Sequence, residues 1–427
     1  MSKVKKIVVL ALVFRLVIAF GAKYHPDIRN HLDWGQRLWR YGPRDFYESI
    51  FWGISWPNQP PGSMYLFGLV SKVDQFIFNG LTFLNQEIRA FPSFVMPFFE
   101  KKLSYILFKI PFVLAEVGLG WLVYQIILSL TQDNKKSLIG GCLIWFNPAL
   151  IFNSTVWGQT DALINLFALA GIWLTWNKKY LWGLLAFIGG LYLKLSLIIW
   201  LPVIGLILLR DRGYVKKGLS LLLSLLFYIL ISLPFVHHGN VFTWLWYMYT
   251  NRVLPRQGNM LSGNAFNFWT LVFGVDLGLK EAVSFLGTTA RRFGRFISGL
   301  LIMILSGFGL IKEIKTKPSF SFYLLNLVLL SMTAFLFLTN MHERYLYPIF
   351  APSAILASLG IISFKLFAGI TVIHWLNLYN LWWYPNIPLL RPIMEWNNFL
   401  LARLMSLGLL IVYVGYFRKF VIVGDEK

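Results

Sequence analysis

The sequence has few charged residues and almost no cysteine. Charged residues make up 13% of the 427 residues, whereas soluble domains carry about 25%. This shortage, together with many apolar runs of about 20 residues, excludes a soluble globular protein, a disordered chain and a coiled coil. The single cysteine, Cys142, excludes an intrachain disulfide and a cysteine-based metal site.

Apolar and aromatic residues dominate what is present. Hydrophobic residues make up 57% of the chain and aromatic residues 18%, and the mean hydropathy is +0.63. Aromatic residues favour membrane–water interfaces and sites that stack on flat ligands. The net charge of +21 would suggest a nucleic-acid partner in a soluble protein. Because much of it lies between apolar runs, we expect a lipid bilayer as partner and no nucleic acid.

Apolar run length predicts about 12 transmembrane helices. Basic residues fall in alternate connections such as TQDNKK, WNKKY, RDRGYVKK and KEIKTKP, which the positive-inside rule places in the cytoplasm with both termini. The first run is too long, and its flanks too poor in small residues, for a cleaved signal peptide. The sequence therefore predicts one all-α polytopic domain over residues 1–427 in the plasma membrane. The predicted spans are 4–22, 103–130, 137–152, 161–176, 180–194, 195–210, 218–236, 295–311, 319–339, 345–364, 366–382 and 398–416.

Long loops are predicted on the extracytoplasmic side, and the largest covers residues 23–102. Its apolar stretches MYLFGLV and FPSFVMPFF are interrupted by charges, which favours helices lying in the membrane interface over full spans. The loop contains most of the acidic residues expected outside the cytoplasm, which are Asp27, Asp33, Asp45, Glu48, Asp74, Glu87 and Glu100.

Asp27 follows directly after the first span and is the first candidate for chemistry. A carboxylate at the membrane surface is well placed to act as a base between a lipid head group and a second substrate from outside. Asp33 and Trp34 follow about two helical turns later, so Asp27 and Asp33 need not share a helix face. The alternative for either acid is a solvated loop carboxylate paired with Arg29 or Arg37.

A short outer loop carries Trp157, Gln159 and Asp161 within five residues. Tryptophan offers a flat apolar face, and the glutamine and aspartate side chains hydrogen-bond to hydroxyl groups. This set suits a sugar. Asp161 could instead cap the helix that begins there, and the two roles are compatible.

Several charged residues fall inside the predicted spans, where ionisable groups are costly and usually functional. Lys109, Lys194 and Arg344 lie near outer ends, a depth at which cations suit a lipid-linked phosphate. The alternative is snorkelling or a structural ion pair, which we favour for Arg15. Glu116 lies seven residues after Lys109, so the two share one helix face.

The run His342-Glu343-Arg344-Tyr345 begins the tenth predicted span on its outer side. Packing alone does not explain a histidine, a glutamate and an arginine in succession at a membrane surface. A metal site is the alternative, but the sequence has no HExxH spacing and its six histidines form no ligand pattern. We therefore expect no metal and no cofactor.

Together these motifs resemble the GT-C superfamily of polyprenyl-phosphate-sugar-dependent glycosyltransferases. Within it they resemble bacterial mannosyltransferases related to GPI mannosyltransferase II. Gln59 and Glu116 depart from the family, which usually has tyrosine and aspartate there. The resemblance spans most of the chain and is carried by Asp27 with Asp33-Trp34-Gly35, Pro60-Pro61, Lys109 with Glu116, Asn147-Pro148, Trp157-Gly158-Gln159-Thr160-Asp161, Lys194, Asn264-Ala265-Phe266-Asn267 and His342-Glu343-Arg344-Tyr345.

The resemblance implies a GT-C fold and an inverting transfer of a sugar, with mannose favoured, at the extracytoplasmic face. The acceptor would be a glycan, a glycolipid or a protein of the cell envelope. It further implies Asp27 as general base and Asp161 as a second acid that orients a substrate. The phosphate-binding candidates are Arg344, His342, Lys109 and Lys194. The sugar- or acceptor-binding candidates are Asp33, Trp34, Trp157, Gln159, Glu343 and Tyr345.

Other functions fit a chain with about 12 spans. A transporter or lipid-linked-oligosaccharide flippase usually has internal repeats and helices broken at mid-membrane, whereas the polar residues here concentrate on one face. A polysaccharide ligase or polymerase would use a lipid diphosphate donor. In a non-catalytic membrane subunit, Asp27 would be dispensable.

Overall fold

The structure, a computed structural model, describes residues 3–23, 25–48, 55–254 and 258–425. Residues 24 and 49–54 of the predicted loop 23–102, and residues 255–257, lie outside this part of the chain. The described residues form eighteen α-helices. In chain order, α1 to α18 are Lys3–Gly21, Pro26–Phe46, Pro61–Glu87, Val95–Phe98, Ser104–Thr131, Asn134–Trp145, Pro148–Ile151, Asp161–Trp176, Tyr180–Leu193, Leu201–Leu209, Tyr214–Ser232, Val241–Tyr247, Phe268–Phe273, Ala290–Lys315, Phe320–Phe337, Phe350–Ser358, Phe364–Tyr379 and Leu390–Asp425.

Shorter elements connect these helices. Strands β1 (Ser262–Gly263) and β4 (Met341–His342) pair in parallel, and β2 (Ser284–Phe285) pairs antiparallel with β3 (Thr288–Thr289). The segments Phe99–Leu103, Phe152–Trp157 and Met248–Val253 are π-helical. The segments Leu195–Trp200, Leu233–Phe235 and Glu343–Ile349 are 3₁₀-helical.

The helices are those of an all-α polytopic membrane protein. By length and composition, six helical runs of the described chain could cross a membrane, or seven if α1 and α2, which meet at a 94° bend, count as one span. The six runs are Val95–Thr131, Asn134–Trp157, Tyr214–Phe235, Ala290–Lys315, Phe320–Phe337 and Leu390–Val423.

The predicted count of about twelve spans is not confirmed, because several predicted spans are short helices. Helices α8 and α9 have 16 and 14 residues. At 1.5 Å per residue they are at most about 24 Å long, less than the roughly 30 Å of a bilayer core. The predicted span 345–364 divides into the 3₁₀ segment and α16, which has nine residues. Pro348 lies in that 3₁₀ segment and has no backbone N–H for an α-helical hydrogen bond.

The two apolar stretches of the first loop belong to different helical elements. MYLFGLV lies in α3, which packs against α2 so closely that a Cβ on Gly35 would stand 2.4 Å from the carbonyl oxygen of Phe67. FPSFVMPFF leads into α4, which continues through the π-helical segment into α5. The second stretch therefore extends the predicted span 103–130 instead of forming a separate interfacial helix.

The hydrophobic core is centred on α15, an apolar helix of 18 residues of which 89% is buried. By contrast, only 22% of the most apolar 18-residue stretch is buried in the helical runs that contain α11 and α14. These helices present apolar side chains outward, as lipid-facing helices do.

Helices α8 and α9 pack closely through glycines: a Cβ on Gly171 would lie 2.7 Å from that of Phe187. Small residues allow such close helix contacts in membranes.

Three of the basic connections meet at one end of the bundle. Lys178 Nζ lies 3.4 Å from Asp211 Oδ2, and Arg210 donates a 2.8 Å hydrogen bond to the carbonyl of Pro318. Asp161 at the start of α8 and Lys194 just after α9 lie at the other end of the same two helices. The bundle therefore has a basic end and an end where the candidate site residues collect, and the assignment of the basic end to the cytoplasm stays a prediction.

Candidate functional site

A cavity of about 510 Å³ lies at the end of α8 and α9 that is away from the basic connections. Residues from α2, the loop before α3, the start of α8, the end of α9 and the segment after β4 line it. Seven of the residues predicted from the sequence are among them: Asp27, Trp34, Gln159, Asp161, Lys194, Arg344 and Tyr345.

Asp27 stands in the first turn of α2. The helix begins at Pro26, a residue whose fixed φ suits the first helical position, and the His25 Nδ1 accepts a 3.2 Å hydrogen bond from the Asp27 N–H as a cap. Backbone N–H groups at a helix N-terminus favour a negative charge. The local sequence thus places the Asp27 carboxylate at the N-terminus of α2, directly after the bend between α1 and α2.

The Asp27 carboxylate has two partners from distant parts of the chain. Gln159 Nε2 donates a 2.6 Å hydrogen bond to Asp27 Oδ2, and Arg344 Nη1 lies 3.8 Å from the same oxygen. Burial alone would raise the pKa of Asp27, but the Arg344 charge and the Gln159 hydrogen bond outweigh burial and lower it to about 2. Asp27 is therefore ionised at neutral pH.

A tight turn positions Gln159. The π-helical segment Phe152–Trp157 ends at Gly158, whose φ of +77° lies in the left-handed region. A Cβ at Gly158 would stand 2.6 Å from Ile28 Cδ1. Lys109 Nζ donates a 2.8 Å hydrogen bond to the carbonyl of Val156. Lys109, predicted to bind phosphate, thus supports the turn and does not line the cavity.

Asp161 and Lys194 form the second charged pair of the cavity. Lys194 Nζ lies 3.0 Å from Asp161 Oδ1, with both side chains largely buried. Asp161 Oδ2 is also buried and has no hydrogen-bond partner within the described chain. One oxygen of Asp161 is therefore paired with the lysine, and the other is unpaired within the described residues.

Arg344 is the second cation of the cavity. Its Nη1 donates a 3.2 Å hydrogen bond to Glu343 Oε1, whereas its Nε is buried without a partner in the described residues. Burial raises the pKa of Glu343. The ring of Tyr345 lies 5.1 Å from Lys194 Nζ and 5.5 Å from the Arg344 guanidinium carbon, within cation–π range. The ring of Tyr345 thus lies close to both cations that line the cavity.

His342, also predicted to bind phosphate, is not among the residues that line the cavity. Strand β4 holds it beside Gly263 of β1, and its ring lies 5.4 Å from that of Tyr345. Burial lowers the pKa of His342 to about 3, so its imidazole is neutral at pH 7. It adds no positive charge to the site.

Three predicted sugar-binding residues also lie outside the cavity lining. Asp33 accepts a 2.8 Å hydrogen bond from Arg37 Nε, one turn along α2. Trp157 is buried and stacks on His25 with ring centroids 4.5 Å apart. Glu343 accepts a hydrogen bond from Arg344, which does line the cavity.

The prediction from sequence did not single out Asn30 and His31, which line the cavity. The signal that identifies them is helical spacing from Asp27. Positions i+3, i+4 and i+7 from Asp27 are Asn30, His31 and Trp34, which share one face of a helix. Gln59, noted only as a departure from the family, also lines the cavity.

The cavity combines polar and apolar walls. The polar part contains Asp27, Asp161, Lys194 and Arg344. The polar part thus contains two carboxylates and two cations, and no cluster of metal-ligating side chains occurs within the described ranges. The apolar part is lined by Leu195, Leu197, Ile198, Ile199, Val253, Leu254, Ala334, Phe335 and Leu338.

No protein-family model matches this chain, and no curated protein matches it either. The functional interpretation therefore depends on the sequence motifs and on the geometry of the cavity.

Proposed function

We propose that the protein is an inverting glycosyltransferase that moves a sugar, with mannose favoured, from a polyprenyl-phosphate donor to an acceptor hydroxyl. The observation that carries the proposal is the meeting of an ionised carboxylate, two cations and an apolar wall in one cavity. The resemblance of the motifs to GT-C enzymes supplies the reaction class. The acceptor would be a glycan, a glycolipid or a protein.

The cavity suggests where the donor binds. Lys194 and Arg344 would contact the phosphate, because cations at a partly buried site stabilise phosphate oxygens by charge-assisted hydrogen bonds. The apolar part of the cavity, which includes Ile198 and Phe335, would take the first isoprene units. If the basic end of the bundle faces the cytoplasm, as the positive-inside rule predicts, the site faces outward.

The proposed reaction needs one base and a stabilised leaving group. The acceptor oxygen attacks the anomeric carbon and forms the new glycosidic bond while its proton passes to the Asp27 carboxylate. The bond between the anomeric carbon and the phosphate oxygen breaks, and the polyprenyl phosphate leaves with the electron pair. Lys194 and Arg344 balance the charge that develops on it.

Arg344 couples donor binding to the strength of the base. In the described cavity its guanidinium lies 3.8 Å from Asp27 and keeps the pKa of that carboxylate low. A phosphate that draws Arg344 toward itself weakens this effect, so the pKa of Asp27 rises toward its ordinary value. Asp27 would then be a better proton acceptor when the donor is in place.

The test is transfer by the purified protein in nanodiscs, supplied with labelled polyprenyl-phosphate sugars and simple glycoside acceptors, with products identified by mass spectrometry. Asp27→Asn should lose about 10²–10⁴-fold in rate, the usual contribution of a general base. Asp33→Asn is the matched control, since it makes the same change on the same helix outside the cavity. It should change the rate less than about twofold, because the Asp33–Arg37 pair is a partly exposed i,i+4 ion pair.

Thermal unfolding of both variants shows whether a loss of activity comes from loss of the base or from loss of the fold. An unfolding temperature equal to that of wild type indicates that the fold is intact. Full activity of Asp27→Asn would remove Asp27 from the proposed role. Movement of the lipid-linked sugar between leaflets, without a transfer product from any donor, would favour a carrier and overturn the proposal.

A further inference from the structure

One face of α2 forms a wall of the cavity. Asp27, Asn30, His31 and Trp34 all line it, as their spacing on a helix allows. The proposed reaction uses only Asp27 of these four. The other three are uncharged at neutral pH and lie within two helical turns of the base.

His31 is the most informative member of this wall. Its side chain is 3% exposed, and its Nδ1 is buried without a hydrogen-bond partner in the described chain. The ring is held in place by stacking on Phe67, with centroids 4.3 Å apart and planes at 13°, and by an edge contact with Phe112. Packing therefore fixes the imidazole while its hydrogen-bonding capacity stays unused.

Burial also makes His31 neutral. It lowers the pKa of His31 to about 3, so at pH 7 one ring nitrogen donates and the other accepts a hydrogen bond. A buried polar group without a partner is costly. A ligand hydroxyl, which both donates and accepts, would satisfy it.

Two neighbouring side chains have the same property. Asn30 Oδ1 and Gln59 Oε1 are buried and have no partners among the described residues. Trp34 is fixed by the 2.9 Å hydrogen bond from its Nε1 to the carbonyl of Ser55. The wall thus offers amide oxygens, an imidazole and an indole, which are groups that bind carbohydrate hydroxyls and ring faces.

The cations of the cavity come from elsewhere, since Lys194 follows α9 and Arg344 follows β4. We infer that the wall formed by Asn30, His31, Trp34 and Gln59 is the acceptor subsite, that it takes a neutral sugar ring, and that His31 determines its specificity by binding a hydroxyl beside the attacking one. This inference rests on the proposed glycosyl transfer. Asp27, one turn before His31, would receive the proton of the attacking hydroxyl.

The experiment measures acceptor and donor KM separately, with methyl α-mannoside and methyl α-glucoside as acceptor probes. His31→Phe keeps an aromatic ring against Phe67 but removes both nitrogens, and it should raise the acceptor KM at least tenfold with the donor KM within twofold of wild type. His31→Asn and His31→Gln each place an amide near one ring nitrogen, so at least one should recover part of the loss.

His374→Phe is the matched control. His374 is fully buried and both its ring nitrogens lack partners in the described chain, but it does not line the cavity. This variant should leave the acceptor KM unchanged. An equal rise in donor KM for His31→Phe, or no rise in acceptor KM, would overturn the assignment.

Binding of the same glycosides, followed by saturation-transfer NMR on the full chain in nanodiscs, separates the two proposals. Binding by wild type that is lost in His31→Phe, without any transfer, would overturn the proposed function but keep a sugar subsite. Transfer by wild type that is indifferent to His31→Phe would keep the function and overturn the subsite. If wild type neither binds nor transfers, both fail.

Discussion

Two acid–arginine pairs of the described chain, Arg15 with Glu116 and Arg344 with Asp27, differ in burial and in how completely their hydrogen-bonding groups are used. In the first, Arg15 of α1 pairs with Glu116 of α5, and both side chains are fully buried. All five N–H groups of Arg15 are used. Its Nε and Nη2 donate to Glu116 Oε1 at 3.0 and 2.5 Å, and its terminal nitrogens also donate to the carbonyls of Ala11, Ile144 and Trp145.

The second cluster, Arg344 with Asp27, is left incomplete. The two side chains lie 3.8 Å apart, beyond hydrogen-bond distance. Arg344 Nε has no partner in the described chain, and Asp27 is 30% exposed toward the cavity. Arg15 and Glu116 thus form an ion pair in which every arginine N–H group has a partner. Arg344 and Asp27 form a more open pair in which the Arg344 Nε has no partner among the described residues.

The largest effect expected from this comparison is on stability. Arg15→Leu leaves Glu116 as an uncompensated buried charge, which should cost about 3–5 kcal/mol in the free energy of unfolding. Arg15→Leu with Glu116→Leu removes both charges and should recover most of that loss. Reversible unfolding in mixed micelles measures both variants, and a single variant as stable as wild type would contradict the structural role of the pair.

The next effect is on activity and on its pH dependence. Arg344→Gln should lower kcat/KM by about 10²–10³, as loss of a group that stabilises developing charge does. Because the pKa of Asp27 is lowered in the protein, the ionised base is present at all pH values above about 2 and is lost only as the pH falls through that value. Without Arg344 the pKa rises, so the acid limb of the residual activity should move to higher pH.

A pH–rate profile from about pH 2 to pH 8 tests this shift, because it includes the pH near 2 at which the wild-type limb is expected. Arg391→Gln, an exposed arginine that does not line the cavity, is the control and should keep the wild-type profile. An acid limb that is unchanged in Arg344→Gln would show that Arg344 does not set the pKa of Asp27.

The smallest effect on stability is expected at Tyr347, which contacts the Arg15–Glu116 pair. The hydroxyl of Tyr347 donates a long 3.4 Å hydrogen bond to Glu116 Oε2. Tyr347→Phe should therefore destabilise the protein by only about 0.5–1.5 kcal/mol and change kcat/KM little, although it lies three residues after Arg344. A loss of activity comparable to that of Arg344→Gln would mean that the two clusters are not independent.

Sequence reasoning identified the all-α membrane class and much of the candidate site, because both depend on local patterns. Long apolar runs predict helices wherever they occur. Lys194 and Arg344 were identified because charged groups are costly inside a membrane. Asp27 was identified by its position directly after the first span, and Asp161 by its place beside Trp157 and Gln159 in a short outer loop. Asp33 was predicted to bind the sugar or acceptor and His31 was not singled out, whereas His31 lines the cavity and Asp33 does not.

Other features depend on packing between distant segments and could not be predicted. The sequence predicts Lys109 as a phosphate-binding cation, but in the structure it donates a hydrogen bond to the carbonyl of Val156 in the π-helical segment. Glu116 reads as part of a family signature, but α1 supplies Arg15 as its partner. The number of full spans also depends on where helices break, as at the 3₁₀ segment that contains Pro348.

The charge on Asp27 has a consequence for biogenesis. The aspartate belongs to the first fifth of the chain, Gln159 to the second, and Arg344 to the last quarter, so synthesis delivers the three members of the cluster far apart in time. Until Gln159 and Arg344 are synthesised, the nascent protein holds the Asp27 carboxylate without these two partners. The candidate site is therefore completed only after most of the surrounding helices have been made.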